Sequence, residues 1–571
     1  IDPAGCRTEN GYVLELNGRR RLGYGELAEA AALLPLPETV ALKDPKDFVL
    51  IGKPIKRLDL ADKVTGRAGF GIDAQAPGML VAVVARPPAF GGSVASFDEA
   101  AALAVPGVRH VVQIESGVAV VADGYWQAKT GRDALRATWE AGAMGGTSSA
   151  DISAQFRAAA SKAGVVARNE GDAATAIRRA PTRVEAEYEV PFLAHATMEP
   201  MNCSAHVEAD KCTIWAPTQF QSGGGLGARG IGAMITGLPE EAVTVHTTLL
   251  GGGFGRRFEL DFIAEAVQVS KAIGGPVKVV WSREDDTRHD FYRPATFNRL
   301  AAGVDGSGQV TGWSHRVVGQ ALMERFSAVF GPLPGGLDAS MVEGAANAPY
   351  AIPNFRCEWV RSDTGVPVGF WRSVGSSQNG FIVEGFIDEV AHAAGKDPFE
   401  FRRALLAGHP RHRGVLELAA EKAGWGTPLP AGRARGIAVV ESFGSFVAEV
   451  AEVSVEGGKV RVHRVVCAID CGMHVNPDII AAQMESAVVF GLTAALYGKI
   501  TIANGAVTEG NFDSYPMLRI NEMPSVEVHI MPSTEPPGGV GEPGTPPIAP
   551  AVVNALFALT GRRIRSLPIA L

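Results

Sequence analysis

The stretch LLGGGFGRRFELDFIAEAVQVSKAIGG, residues 249–275, has the pattern of a strand, a glycine-rich loop and a helix. Apolar residues recur at helical spacing after Glu259, and Gly274 with Gly275 predicts where the helix ends. The first N–H groups of a helix have no partner within it, so the loop is expected to place donors at a helix N-terminus, where phosphate binds well. The alternative is a tight strand-to-helix turn without a ligand.

Three further loops share this arrangement of small residues ahead of a helix. They are GFWRSVGSSQ at 369–378, DCGMHVNP at 470–477 and PPGGVGEPGTPP at 536–547. Several such loops suit a large polar cofactor that carries phosphate and is approached from many sides. Taken singly, each loop is equally consistent with a turn or a capped core helix, and Phe370 and Trp371 are consistent with core residues.

The last of these loops holds a single carboxylate, Glu542, between Gly541 and Pro543. Burial would raise the pKa of this carboxyl group towards working pH, which favours a general base. The alternative is a carboxylate that caps the following helix. Pro550 and Gly561 already mark that helix, and Glu542 lies too far upstream for capping.

Composition excludes several classes of protein. The 571 residues include 53 basic and 61 acidic residues, a net charge of −8 without a long run of either sign, so nucleic acid is not an expected partner. The apolar stretch Ala487–Tyr497 is shorter than the roughly 20 residues that span a bilayer, so no transmembrane helix is expected. The six cysteines have neither zinc nor iron–sulfur spacing, so any iron–sulfur cluster is expected on another chain.

The order of strand-like and helix-like stretches indicates an α+β protein. Residues 1–50 look like the remnant of an upstream unit with a linker, and 51–140 like a compact α+β unit in which residues 56–73 alternate in strand fashion. A polar connector is predicted at 141–179. The β-rich remainder is predicted to consist of two halves, 180–415 and 416–571.

Two other patterns are candidate functional signals. GLGARG at 225–230 matches the dinucleotide fingerprint G-x-G-x-x-G, but no long helix or clear βαβ unit is predicted around it, so the match is weak. His195 and Glu199 are four residues apart and would share a face if helical, in a substrate funnel or, as the favoured interpretation, as a structural pair. His206, His392 and His474 have no metal-ligand spacing.

In their order and spacing, these motifs resemble the molybdopterin-binding large subunit of the xanthine oxidase family. KRLDLADKVTGRAGFGID at 56–73 is similar to that family's hammerhead domain, and GGGFGRR, FWRSVGSSQ, CGMHVNP and GVGEPGTPP are similar to its successive molybdopterin loops. AHATMEPMNC at 194–203 and the helix at 378–403 are most similar to the isoquinoline 1-oxidoreductase β-subunit type, which includes aldehyde-oxidising relatives.

The resemblance implies a domain plan and a set of site residues. A hammerhead domain at 51–140 would precede a two-part molybdopterin-binding domain, with 1–50 as the tail of an upstream molybdopterin-binding segment. Glu542 matches the catalytic glutamate, and Phe258 and Glu199 are candidate substrate-pocket residues. Phe258 stands where purine-oxidising members carry glutamate, which favours an aldehyde or an aromatic N-heterocycle. No side chain is expected to ligate molybdenum, which the pterin holds. The implied cofactor-binding residues are Gly252, Gly253, Phe254, Gly255, Trp371, Arg372, Gln483 and Gly541.

The resemblance also implies cofactors and partners. The expected activity is hydroxylation with water as oxygen source, using the molybdopterin cytosine dinucleotide cofactor in its sulfido form. Electrons would pass to two [2Fe–2S] clusters on a small partner subunit, with a cytochrome c as one candidate acceptor. The family's GQG loop is absent from the sequence, so an upstream segment or a separate chain is expected to supply it. A periplasmic location is implied, with the cytoplasm as the alternative.

Two other functional classes stay open at this point. The chain could be a non-catalytic subunit or fragment that completes a partner's cofactor site. It could instead be a nicotinamide- or flavin-dependent oxidoreductase that uses GLGARG.

Overall fold

A computed structural model describes residues 2–221 and 225–571. The chain forms two compact units, Ile1–Lys53 and Pro54–Leu571. None of the residues 2–53 of the first unit is buried. Its elements are β1 (Cys6–Glu9), β2 (Tyr12–Glu15), β3 (Arg21–Gly23) and α1 (Tyr24–Ala32), with the strands in one antiparallel sheet.

The second unit is a mixed α+β structure. Its strands are β4 (Leu80–Ala85), β5 (Ser93–Ser96), β6 (Val108–Ile114), β7 (Gly117–Ala122), β8 (Thr138–Glu140), β9 (Val165–Glu170), β10 (Thr182–Val190), β11 (Asn202–Val207), β12 (Cys212–Ala216), β13 (Val243–Thr247), β14 (Val277–Val280), β15 (Thr296–Val304), β16 (Val310–Gly319), β17 (Phe355–Arg361), β18 (Arg433–Ser442), β19 (Ser445–Glu456), β20 (Lys459–Asp470), β21 (Ile502–Ala503), β22 (Ala506–Val507) and β23 (Ser525–Ile530). Its helices are α2 (Leu60–Val64), α3 (Glu99–Leu103), α4 (Tyr125–Ala134), α5 (Ser149–Ala159), α6 (Ala173–Arg179), α7 (Ala228–Thr236), α8 (Asp261–Ile273), α9 (Arg283–Arg288), α10 (Ser327–Phe330), α11 (Val374–Ala393), α12 (Pro398–Leu405), α13 (Pro410–Ala423), α14 (Pro477–Leu496) and α15 (Ile548–Thr560).

A seven-stranded sheet joins two distant parts of the sequence. Its strand order is β13-β12-β11-β14-β4-β7-β6, and β14 pairs with β4 in parallel. Residues 51–140 therefore contribute strands to a sheet that they share with residues 202–280. Such pairing depends on contacts between distant segments, which a local sequence pattern does not contain.

The prediction that residues 56–73 form strands is wrong. This stretch forms α2 and a short 3₁₀ turn, Gly71–Asp73. Lys63 pairs with Asp59 one helical turn away at 2.7 Å, and Gly66 then has a φ of +73°. The ion pair favours a helical turn and the glycine ends it.

GLGARG also differs from expectation. β12 and β13 pair in parallel, and α7 connects them, so this segment is a βαβ unit although none was predicted. The helix has only nine residues, and a Cβ on Gly230 would lie 1.7 Å from the carbonyl oxygen of Gly225. The second half of the motif thus allows the chain to pack closely on itself.

The remaining sheets enclose the largest hydrophobic core. The sheet β10-β15-β16-β17-β9 includes a strand of the predicted connector, and the sheet β18-β19-β20-β23 carries α13 and α15 on its surface. Helix α11 is buried from Gly375 to Ala391 and packs against β10, β15 and α15. The loop that precedes α11 and the loop that precedes α15 are therefore brought together.

Three helix boundaries agree with the sequence prediction. Gly274, with φ +66°, ends α8; the side chain of Asn476 accepts hydrogen bonds at the start of α14; and Gly561 ends α15. Helix α14 is longer than the apolar stretch identified in the sequence. By length and composition it alone, among the described helices, could cross a membrane, but 56% of its most apolar window is buried inside the protein, as in a core helix.

Candidate active site

A cavity of about 560 Å³ lies where three of the four predicted loops meet, and the loop at 470–477 does not line it. Its volume is within the range of small-molecule sites in proteins. The structure thus brings together most of the residues that the sequence singled out. The lining residues are Gln219, Phe254, Gly255, Phe258, Phe370, Trp371, Arg372, Val374, Phe443, Gln483, Ser486, Gly541 and Glu542.

The glycine loop after β13 reaches this cavity, but not through a helix N-terminus as expected. Helix α8 begins at Asp261, and a 3₁₀ turn, Arg256–Phe258, separates it from the glycines. Arg256 and Arg257 are buried in that turn. Arg256 donates to Asp261 at 2.7 and 2.8 Å, and Arg257 donates to the Gly252 carbonyl at 2.7 Å. The two arginines need buried partners, and these bonds shape the loop.

Gly255 is the glycine that the loop geometry requires. Its φ is +109°, and a Cβ there would lie 1.8 Å from the carbonyl oxygen of Phe370. Gly252 and Gly253 do not line the cavity. A Cβ on Gly253 would meet the side-chain oxygen of Gln219 at 2.5 Å, so this residue permits close packing behind the wall.

Arg372 connects three elements at one side of the cavity. Its guanidinium donates to the carbonyl oxygen of Gly541 at 2.8 Å, to the Ser486 hydroxyl at 3.1 Å and to the Gln483 carbonyl at 3.3 Å. Gln483 and Ser486 are three residues apart on α14 and so share a face. Burial lowers the pKa of Arg372 to about 10, with the nearby Glu542 opposing this shift. Arg372 thus holds the Glu542 loop against α14.

Glu542 faces the cavity in a partly desolvated position. Ser373 holds it twice, since its N–H donates to Oε1 at 2.9 Å and its hydroxyl donates to the Glu542 carbonyl at 2.7 Å. Burial raises the pKa of Glu542, while the Ser373 N–H and the charge of Arg372 work in the opposite direction. A carboxylate with a raised pKa beside a cavity is suited to proton transfer near neutral pH.

Backbone strain is concentrated around this cavity. Phe254, Ser373, Val374 and Phe443 all have positive φ, at +57°, +76°, +46° and +53°. Such a conformation is unusual for any residue with a side chain, and most of all for a β-branched one such as Val374. Strained residues persist where the surrounding structure holds them in place, and they cluster at functional sites.

Aromatic rings form the apolar wall of the cavity. Phe258 stacks on Phe220 with centroids 4.3 Å apart and planes at 6°, and its edge contacts Phe370 at 5.3 Å. On the other side, Trp371 and Phe254 both stack on Phe490 of α14, at 4.6 and 4.5 Å. The wall is therefore rigid.

Glu199 and His195 lie outside the cavity lining, and their predicted pairing is wrong. The segment is not helical, because Ala196 between them has a φ of +51°. Glu199 accepts hydrogen bonds from the Gly251 N–H at 2.8 Å and from Arg257 at 3.0 Å. His195 instead contacts Asp290 at 2.9 Å.

Several of the residues that line the cavity were not predicted from the sequence. Gln219 accepts from the N–H groups of Gly255 and Arg257 at 3.2 and 3.3 Å, and Phe443 occupies the tight turn between β18 and β19. No sequence pattern near either residue predicts that it lines the cavity. Ser486 does have such a pattern, because it follows Gln483 by three residues in a helix.

The donor set fits a phosphate-bearing pterin cofactor. The cavity wall offers a guanidinium, two side-chain amides and a hydroxyl, with one carboxylate among the described lining residues. At Gly541 the nearest side-chain atom to an added Cβ is 3.9 Å away, which leaves room beside the backbone. Within residues 2–221 and 225–571, no cluster of three His, Cys, Asp or Glu side chains could hold a metal ion directly.

Comparison with known protein families identifies two matching regions. Models of the molybdopterin cofactor-binding domain match residues 158–406 and 414–524. The isoquinoline 1-oxidoreductase subunit beta of Brevundimonas diminuta is 31% identical over 98% of this chain and 78% of its own length. The membrane-bound aldehyde dehydrogenase (pyrroloquinoline-quinone) of Gluconacetobacter polyoxogenes is 33% identical over 93% of this chain and 74% of its own.

Solved structures show the same fold. Quinoline 2-oxidoreductase from Pseudomonas putida 86 superposes with a TM-score of 0.77 over 93% of this chain and 98% of its own, at 16% identity. The molybdopterin-binding models and the two sequence relatives favour a molybdopterin cofactor over the nicotinamide or flavin alternative for GLGARG. The chain therefore belongs to the xanthine oxidase family, as a molybdopterin-binding large subunit of the molybdenum-dependent oxidoreductases of the isoquinoline 1-oxidoreductase and aldehyde dehydrogenase type.

Proposed function

We propose that this subunit hydroxylates an aldehyde or an aromatic N-heterocycle with water as the oxygen source, and that Glu542 is its general base. The observation that carries the proposal is the position of Glu542, the one carboxylate among the described residues that line the cavity, which aromatic rings also line. In the overall reaction a substrate C–H bond breaks, a C–O bond to the water oxygen forms, and two electrons and two protons are released.

Residues of three loops and of α14 would hold the cofactor. When bound, it would supply a two-electron acceptor and a centre that activates water. We propose the molybdopterin cytosine dinucleotide form with a sulfido ligand. The residues assigned to it are Gly252, Gly253, Phe254, Gly255, Trp371, Arg372, Gln483 and Gly541, of which all but Gly252 and Gly253 line the cavity.

Glu542 would take a proton from the attacking water. Its raised pKa makes it a stronger base than an exposed glutamate, while the Ser373 N–H favours the ionised form that can accept a proton. Pro543 and the Ser373 hydroxyl restrict its backbone, and the Ser373 N–H orients its side chain, so the carboxylate needs little reorganisation before it accepts the proton.

Phe258 and Phe370 support the choice of substrate class. Their rings contact each other at 5.3 Å and give a planar or small apolar substrate an apolar surface on which to pack. Neither ring offers the hydrogen bonds that a purine would need. The names of the relatives, which refer to isoquinoline and to aldehyde, are consistent with this choice.

The electrons would leave through a partner. The Brevundimonas relative is itself described as a subunit, and we propose a small subunit with two [2Fe–2S] clusters here as well, with a cytochrome c as a further acceptor. We further propose that residues 51–140 are the hammerhead domain, that an upstream segment or separate chain supplies the GQG loop, and that the enzyme acts in the periplasm.

Elemental analysis and a substrate screen of the purified assembly test the proposal. We expect about one molybdenum per large subunit, and turnover of benzaldehyde or isoquinoline, with ¹⁸O from labelled water in the product. An assembly that contains molybdenum but incorporates oxygen from O₂, or that oxidises purines in preference to both substrates, would contradict it.

A further inference from the structure

His195 lies behind the cavity wall, between a carboxylate and a carbonyl group. Its Nδ1 is 2.9 and 3.0 Å from the two carboxylate oxygens of Asp290, and its Nε2 is 2.6 Å from the carbonyl oxygen of Phe370. Only 1% of His195 and 2% of Asp290 is exposed, so water does not compete for these contacts.

The two contacts determine which ring nitrogens carry protons. A carbonyl oxygen only accepts, so Nε2 must donate to Phe370. Nδ1 must also donate if Asp290 is ionised. The side chain of Asp290 accepts the N–H groups of His195 and Phe291, both at 2.7 Å, and lies 3.1 Å from the Arg256 guanidinium. These groups favour the ionised carboxylate, and with two donating nitrogens His195 is an imidazolium.

The Phe370 carbonyl is fixed from both sides. His195 donates to it, and on the other side the approach of Gly255 leaves no space for a Cβ, which would lie 1.8 Å from the oxygen. Three residues later, Ser373 has a φ of +76° and its N–H donates to Glu542. His195 and Gly255 therefore hold the first peptide group of the turn at 370–374, and these contacts fix the orientation of the turn.

We propose that His195 is a positioning residue, an imidazolium clamp on the Phe370 carbonyl that holds the strained turn in the conformation that presents the Ser373 N–H to Glu542. The clamp belongs to an ionic network in which Asp261, Arg256, Asp290 and His195 follow one another with contacts of 2.7–3.1 Å. The effect of the clamp on Glu542 as a base rests on the proposed function, whereas the hydrogen bond between His195 and Phe370 does not.

Other charged groups near the network and the turn affect any pH dependence. Asp286 lies near Asp290 and Arg256 on the His195 side, and burial raises the pKa of Asp286 to about 6. On the other side of the turn, Arg372 and Glu343 both interact with Glu542. A change caused by His195 must therefore be separated from the titration of these groups, which is why the test includes a readout other than activity.

Hydrogen exchange of the assembled holoenzyme tests the clamp without reference to catalysis. We expect His195→Leu, which removes the donor to the Phe370 carbonyl, to increase the exchange rate of the Ser373 amide at least tenfold, while Asp290→Asn, which keeps a donor at Nε2, has a smaller effect. His392→Leu, at an exposed histidine on α11, is the matched control and leaves the rate unchanged. Unchanged exchange in His195→Leu would overturn the proposal.

The protonation state can be read in the wild-type enzyme, so the test does not depend on the folding of a variant. Solid-state ¹⁵N NMR of histidine-labelled holoenzyme at neutral pH is expected to show a buried imidazolium coupled to a carboxylate. If every buried histidine is neutral in that spectrum, the proposal fails.

The pH profile then tests the link to Glu542. Loss of the Ser373 hydrogen bond raises the pKa of Glu542, so the acidic limb of kcat/KM should move to higher pH in His195→Leu and stay in place in His392→Leu. Faster exchange without this shift would overturn the link to Glu542 but not the proposed base, which Glu542→Gln tests separately.

Discussion

The main-chain N–H of Ser373 donates to Oε1 of Glu542 at 2.9 Å across 169 residues of sequence. The same serine donates its hydroxyl to the Glu542 carbonyl, so one residue orients both the side chain and the backbone of the proposed base. Since Ser373 itself has a positive φ, the orientation of Glu542 depends on a strained turn that tertiary packing holds.

Glu542→Gln is expected to abolish turnover while the cofactor stays bound. Glutamine keeps the shape and accepts the Ser373 N–H, but it cannot take a proton. General-base catalysis contributes about 10²- to 10⁴-fold, so kcat should fall by at least that range. Turnover and molybdenum content measured on the same sample separate lost chemistry from lost cofactor.

Glu535→Gln is the matched control, because Glu535 is an exposed glutamate upstream on the same loop. It should keep wild-type turnover. Full activity in Glu542→Gln would mean that another group accepts the proton.

Local patterns predicted the parts of the fold that depend on nearby residues. Gly274 and Asn476 mark helix ends through their own backbone or side-chain chemistry, so the sequence alone predicts these ends. The sequence does not predict the partners of His195 and Glu199, because Asp290 and Gly251 are distant in sequence and the positive φ of Ala196 prevents a helix. Tertiary contacts overrode the local spacing there.

Only some of the residues that line the site were predicted from the sequence. Glu542 and Arg372 were found because their motifs resemble those of the family. Gln219 and Phe443 reach the cavity through loops whose paths depend on the packing of distant strands, and no pattern in their own neighbourhood indicates this.

Glu343 is expected to make stability depend on pH. Burial, with added repulsion from Asp338, Glu542 and Glu441, raises its pKa to about 7 from an ordinary value of 4.5. The folded state therefore holds this proton more tightly than the unfolded state. Its contribution is fully present below pH 4.5 and is lost as the pH rises through 7. The total is at most about 3 kcal/mol.

Thermal unfolding of Glu343→Gln and the wild type across pH 4.5–8 checks this expectation. Glutamine does not ionise, so the variant should gain stability relative to the wild type as the pH rises. Glu485→Gln, at an exposed position on α14, should show a constant difference. A constant difference for Glu343→Gln as well would show that burial does not shift the pKa of this residue.

Arg372→Lys is expected to reduce both cofactor content and stability. A lysine ammonium cannot reproduce the planar contacts to Gly541, Ser486 and Gln483, and each lost hydrogen bond to a charged group costs about 1.5–3 kcal/mol. Molybdenum per subunit and the unfolding temperature are the measurements.

Arg361→Lys is the control for this substitution. Arg361 is an exposed arginine paired with Glu324 and Asp363, away from the cavity lining. It should change neither quantity appreciably. Equal effects of the two substitutions would refute the structural role assigned to Arg372.

Phe258→Leu is expected to weaken the selection of aromatic substrates. The substitution removes a ring of the cavity lining on which an aromatic substrate would pack, and aromatic pairs contribute about 0.5–1.5 kcal/mol beyond area burial. The kcat/KM for an N-heterocycle should fall roughly 2- to 13-fold, with a smaller change for acetaldehyde. Phe330→Leu, at an exposed ring beside Phe326, should alter neither value. A uniform loss for both substrates would indicate damage to the site rather than to specificity.

Gly255→Ala is expected to disrupt the site more than its backbone conformation alone explains. Gly274 also has a positive φ but has no atom within 4 Å of an added Cβ, so Gly274→Ala should cost only the left-handed strain of about 1–2 kcal/mol. At Gly255 the added methyl group would also collide with the Phe370 carbonyl, which must move and release the turn that carries Ser373. Gly255→Ala should therefore lose molybdenum and turnover together, while Gly274→Ala keeps both with a modestly lower unfolding temperature. If the two variants behave alike, the close approach of Gly255 to Phe370 does not shape the active site.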